Sequence, residues 1–116
     1  MALKKRTHDD LVKACLDVLE LHGIVAGETD TSKPYKDGKR FRRPARCPAG
    51  WPDIVGFMPG RGAIAVECKV GKDTVSTAQH YWLERIRHTG NKVVVVRDSV
   101  DALIIALSPP KEENYP

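Results

Sequence analysis

Two strand-patterned runs, Asp53–Met58 and Ala63–Val70, are separated only by Pro59-Gly60-Arg61-Gly62. A link that short cannot carry the chain across a sheet, so the runs must pair as an antiparallel hairpin. The second run reads AIAVECKV, and its alternation places Ile64, Val66 and Cys68 on one face and Ala65, Glu67 and Lys69 on the other. Charges in an otherwise apolar strand are costly to bury unless they pair with each other or hold a metal. The hairpin brings a further acid to them. Asp53 opens the first strand and Glu67 lies late in the second, so both carboxylates reach the same end of the sheet.

The remaining elements follow from periodicity and punctuation. From His8 to His22, apolar residues at three- and four-residue spacings predict an amphipathic helix, with Thr7 as its N-cap, Asp9 and Asp10 in its first turn, and Gly23 as its stop. Residues 24–30 read as a short strand, and Asp37-Gly38 marks a hairpin turn. A second helix is expected over Ser76–Thr89, with Ala78, Trp82, Leu83 and Ile86 on one side. The continuous apolar run Lys92–Val96 reads as a central strand covered on both faces. Asp98 or Ser99 is expected to cap a last helix over Val100–Leu107. This order gives an α/β fold, a mixed β-sheet flanked by helices, in which the strands of the β-helix-β unit from Ala63 to Val96 run parallel. A single domain over 1–116 is expected, with its core at about 8–107 and a flexible tail at 108–116.

Composition narrows the function classes. With 41% apolar and 29% charged residues the chain reads as soluble and globular, and no apolar run approaches the roughly 18 to 20 residues of a membrane span. The basic N-terminus has no apolar segment behind it, so no secretory signal is expected and the cytoplasm is the expected compartment, the host's if the chain is viral. Cys15, Cys47 and Cys68 form no CxxC pair, and there is no HExxH; neither a disulfide framework nor structural zinc is expected. VGKD lacks the first glycine and the hydroxyl of a P-loop, and GRGAIA precedes a strand, so no nucleotide cofactor is expected. The charge is unevenly spread: Lys33, Lys36, Lys39, Arg40, Arg42, Arg43 and Arg46 stand against the single Asp37 between residues 33 and 46. Such a segment suits a polyanion such as DNA, although a solvated loop has the same composition. Tyr35 and Phe41 add rings on which an unpaired base can stack.

Two carboxylates at one sheet end beside a lysine can hold Mg²⁺ or Mn²⁺, with the backbone carbonyl of Cys68 as a further oxygen ligand. Lys69 then positions a water or stabilises charge developing on a phosphodiester. Each residue also has a structural reading. Glu67 and Lys69 can be a pair on a half-exposed strand, and Asp53 can simply start a strand after Pro52. Gln79 is the N3 residue of a capping box headed by Ser76, a role that competes with facing the site because the two need different rotamers. Trp51 reads as packing under the hairpin or as a wedge against DNA, and Tyr81 and Trp82 as core or dimer contacts.

GWPD, ECK after thirteen intervening residues, then STAQHYWL and VVVVRDSVDAL, together resemble the PD-(D/E)XK nuclease superfamily and within it the VRR-NUC group. The resemblance covers about His8 to Leu107 and implies a restriction-endonuclease-like core. It implies that Asp53 and Glu67 are metal ligands, that Lys69 is the catalytic lysine, and that Gln79 faces the active site. The group often carries a further acid in its first helix; here His8 stands at that position, with Asp9 and Asp10 only adjacent. The function so implied is a Mg²⁺- or Mn²⁺-dependent DNA endonuclease, structure-selective in replication, repair or recombination. A non-cleaving nucleic-acid-binding module on the same fold and a dimeric Holliday-junction resolvase are the alternatives, and a homodimer is expected.

Overall fold

The computed structural model describes residues 7–29, 33–34, 40–41 and 47–109. Helix α1 (His8–Leu21) leads into strand β1 (Val25–Glu28), followed by the short pair β2 (Lys33–Pro34) and β3 (Arg40–Phe41). Strands β4 (Ile54–Met58) and β5 (Gly62–Lys69), helix α2 (Thr77–His88), strand β6 (Lys92–Arg97) and helix α3 (Asp101–Leu107) complete the chain. The main sheet has the order β1-β4-β5-β6, antiparallel at β1–β4 and β4–β5 and parallel at β5–β6. This is the expected α/β architecture, a mixed sheet flanked by helices.

The hairpin forms as the spacing requires. Arg61 N–H donates to Met58 C=O at 3.1 Å, and Gly60 takes the positive φ of 65° that the position after the turn proline demands. Ile54, Met58, Ile64, Val66, Cys68, Val94 and Val96 then form one face of the sheet, buried against Leu11, Val12, Cys15 and Leu19 of α1 and Leu103 of α3. Thr7 caps α1 in a reciprocal box with Asp10, each taking the other's backbone N–H. Helix α2 packs against β6 on the opposite face, and Leu83 is its buried residue.

Two expectations are corrected. The Lys92–Val96 run is an edge strand, with Val95 exposed; β5 is the inner one, because it pairs with β4 and β6 on its two sides. Asp98 does not cap α3: the residue before the helix is Val100, which makes no side-chain cap bond, and it is Ser99 Oγ that accepts the Asp101 N–H of the first turn, at 3.3 Å. Asp98, at φ 62°, instead accepts from Gly71 N–H at 2.7 Å and donates its own N–H to Lys69 C=O at 2.9 Å. It therefore braces the end of β5 rather than a helix. The expected Asp37-Gly38 turn and the residues of the tail beyond Pro109 lie outside the described residues, although β2 and β3 pair antiparallel on either side of that turn. Among the described residues no helix is long and apolar enough to cross a membrane.

Candidate active site

Ile54 pairs with Val66, and continuing that antiparallel register by one residue sets Asp53 opposite Glu67. The approach to Asp53 is clamped from both sides. Thr29 N–H donates to Asp53 C=O at 2.8 Å, and Thr29 Oγ1 donates to Pro52 C=O. On the other side the Cys68 N–H donates to Asp53 Oδ2 at 2.8 Å. Because N–H and C=O of one strand residue point the same way, the Cys68 carbonyl also faces the Asp53 side rather than β6.

Glu67 is 1% exposed and Lys69 9%. Glu67 Oε1 accepts from Gln79 Nε2 at 3.2 Å and lies 3.8 Å from Lys69 Nζ, whereas Oε2 is buried with no hydrogen-bond partner among the described residues. Burial first, then the neighbouring Asp53 carboxylate, push the Glu67 carboxyl up to about 8, against a smaller downward pull from Lys69. On the apolar side of the strand, the contact with Cys15 and burial raise the Cys68 thiol well above its ordinary range, and the two sulfurs sit 3.9 Å apart. They are inert core residues.

Gln79 does both of the jobs that seemed to need different rotamers. Its Oε1 accepts from Ser76 N–H at 2.9 Å and from Lys69 Nζ at 2.7 Å, while Nε2 reaches Glu67. Ser76 Oγ in turn accepts from Gln79 N–H at 3.1 Å. One side chain thus starts α2 and holds the two charged residues of β5.

The loop before Asp53 is docked on the same helix. Gly50 has φ 86°, and a Cβ there would lie 2.5 Å from Ala78 C and 2.7 Å from Gln79 N. Trp82 Nε1 donates to Ala49 C=O at 3.1 Å, and the Trp51 and Trp82 rings meet edge-on at 5.4 Å. Trp51 is therefore packing. Tyr81 is exposed and Trp82 half-buried, so neither is core; Arg85 lies over both rings.

His8 is the residue that pattern reasoning passed over. Its Nε2 lies 3.2 Å from Asp53 Oδ2, across 45 positions of sequence. The signal available was its place at the start of the first helix, where the resemblance led one to look for an acid. Asp9 is 3.9 Å from His8 Nδ1 and largely exposed, and Asp10 serves the α1 cap.

Among the described residues no group of three or more His, Cys, Asp or Glu side chains gathers to hold a metal. Asp53, Glu67 and the Cys68 carbonyl form an all-oxygen set with only two carboxylates, which suits Mg²⁺ or Mn²⁺ completed by water rather than a thiolate or imidazole metal. The partnerless Glu67 Oε2 beside a second acid is what such a cation would satisfy. Of the basic segment, Lys36, Lys39, Arg42, Arg43 and Arg46 lie outside the described residues, and Lys33 and Arg40 are described only in their backbone pairing.

The family model for the VRR-NUC domain matches residues 14–99, a span that includes Asp53, Glu67, Cys68, Lys69 and Gln79. No match is found among curated proteins or among solved structures. With most of its length matched, and with a mixed four-stranded sheet flanked by helices, the chain belongs to the VRR-NUC domain family, a nuclease-type domain.

Proposed function

We propose that the chain is a DNA endonuclease that requires Mg²⁺ or Mn²⁺ and hydrolyses phosphodiester bonds at the Asp53, Glu67, Lys69, Gln79 cluster. The observation that carries this reading is the buried Glu67 carboxylate with an orphan Oε2, set opposite Asp53. The arrangement is costly without a cation: the pair cannot carry both charges side by side, which is what pushes the Glu67 carboxyl up, and a buried unpaired oxygen costs about 1–3 kcal/mol. Asp53, Glu67 and the Cys68 carbonyl would hold the cation. When bound it supplies Lewis acidity, offsetting phosphate charge and acidifying the attacking water.

The chain's own groups do the rest. Gln79 fixes Lys69 Nζ through one hydrogen bond, which leaves the ammonium's other donors for the attacking water or the non-bridging phosphate oxygen. Lys69 is nearly buried, so its charge acts through a poorly screening medium on the charge that develops as the P–O bond breaks. The basic residues Lys33, Lys36, Lys39, Arg40, Arg42, Arg43 and Arg46 supply backbone affinity without sequence preference.

The test is a panel of end-labelled single strands, flaps, forks and four-way junctions, incubated with Mg²⁺, Mn²⁺ or excess chelator, for wild type and Glu67→Gln. Cleavage by wild type that needs the cation and vanishes in Glu67→Gln supports the reading. Binding without cleavage of any member, in either cation, replaces it with a non-cleaving module. The panel also identifies the preferred structure, and a dimer that cuts only four-way junctions in symmetric pairs identifies a resolvase.

A further inference from the structure

Outside the carboxylate pair, its lysine and Gln79, one further polar side chain reaches the site, from a position the family match does not cover. His8 opens α1 six residues before the matched span begins, and its Nε2 is 3.2 Å from Asp53 Oδ2. A carboxylate can only accept, so facing an ionised Asp53 the Nε2 carries the proton. The same Oδ2 also takes the Cys68 N–H at 2.8 Å, which gives one carboxylate oxygen two donors from two different elements.

We propose that His8 is a positioning residue: by donating Nε2–H to Asp53 Oδ2 it fixes the rotation of the Asp53 carboxylate and so pre-forms the cation site. The proposal rests on the reading of Asp53 and Glu67 as a cation-holding pair. A carboxylate on a single backbone donor can still pivot about that bond, but two donors at one oxygen leave one orientation. The second oxygen is then directed by geometry and not by the cation itself. Asp53 sits in a loop-to-strand step and is 17% exposed at its side chain, so it has room to turn if His8 lets go. The position of α1 thereby enters the site, although no acid of that helix does.

His8 can be changed without undoing the fold. Its side chain is 44% exposed, and the start of α1 is secured separately by the Thr7–Asp10 box. Gln places its own Nε2–H at a similar reach, so His8→Gln keeps the donor and His8→Ala removes it.

Calorimetric titration with Mn²⁺ of wild type, His8→Ala and His8→Gln is the test. Loss of a residue that orients a ligand typically weakens metal binding about 10- to 100-fold. The expected result is an affinity loss of at least about tenfold in His8→Ala, largely restored in His8→Gln, with unchanged melting temperatures in chelator. On the cleaved substrate kcat falls in His8→Ala while KM holds. Equal Mn²⁺ affinity in wild type and His8→Ala overturns the proposal and leaves the metal reading standing. His8→Gln as weak as His8→Ala overturns the donor role. Wild type that binds no Mn²⁺ overturns the cation-site reading itself, and this proposal with it.

Discussion

Lys69 Nζ donates to Gln79 Oε1 at 2.7 Å, and that same oxygen accepts the backbone N–H of Ser76 that begins α2. The helix cap and the charged site are therefore one hydrogen-bonded unit. Removing the cap alone differs from removing the glutamine. Ser76→Ala loses one cap bond, about 1 kcal/mol, and leaves the Glu67 and Lys69 contacts in place. Gln79→Ala loses the other cap bond, Ser76 N–H to Gln79 Oε1, and also strips a partner from each of two buried charged groups, a cost of about 2–3 kcal/mol. Urea denaturation combined with cleavage assays at matched folded fraction should give full activity for the first and a loss of about tenfold or more for the second.

The raised Glu67 carboxyl makes metal-free stability depend on pH. Between about 4.5, its unfolded value, and about 8, its folded value, the folded state holds a proton that the unfolded state has released. Its contribution is therefore complete at acid pH and is lost as pH rises through 8. In chelator, wild type should lose stability from pH 5 to pH 9 relative to Glu67→Gln, by an amount of the order of a few kcal/mol. A difference between the two proteins that is flat across this range would refute the assigned ionisation. Mg²⁺ or Mn²⁺ should restore more stability at pH 8 than at pH 5, since the cation binds the deprotonated pair.

Gly50 is required twice over, by its positive φ and by the lack of room above Ala78 and Gln79. Gly50→Ala must open the seam between the loop leading to Asp53 and α2, at a cost of about 2 kcal/mol or more. Trp51 and Trp82 report on that seam directly. A red-shifted, weakened tryptophan emission in the folded variant is the expected outcome, and an unchanged spectrum together with unchanged stability would rule the docking out.

Asp98 combines a left-handed backbone with a hydrogen bond to Gly71. The two contributions separate by substitution: Asp98→Gly keeps the conformation and loses the acceptor, Asp98→Ala loses both, and Asp98→Asn keeps both. Thermal melts should rank Asn above Gly above Ala, with Ala about 1–3 kcal/mol below wild type.

How far the sequence could be read depended on the range of the interaction. Asp53 facing Glu67 was legible because a short turn fixes the register of a hairpin, and a strand's period of two then fixes the faces. The Thr7 and Ser76 starts were legible for the same local reason. Lys92–Val96 misled because an apolar run reports how little polar character a strand has, not which neighbours pair with it; α2 and α3 make β6 apolar while the sheet order leaves it at the edge. Asp98 misled because a short polar side chain before a helix satisfies a cap pattern as readily as a strand brace. The His8 contact spans 45 positions and depends on how α1 docks across the sheet, which no local spacing encodes. The double role of Gln79 needed the distance from the helix start to β5, and that too is tertiary.

Single-turnover cleavage of the preferred labelled DNA by wild type and Lys69→Ala, with Mg²⁺ or Mn²⁺ at saturation and DNA binding measured in parallel, tests the central claim most directly. Lys69→Ala should bind DNA as wild type does and cut it about 100-fold or more slowly, with no cutting by either protein in excess chelator. Undiminished cleavage by Lys69→Ala, or cleavage that persists in chelator, would contradict the account.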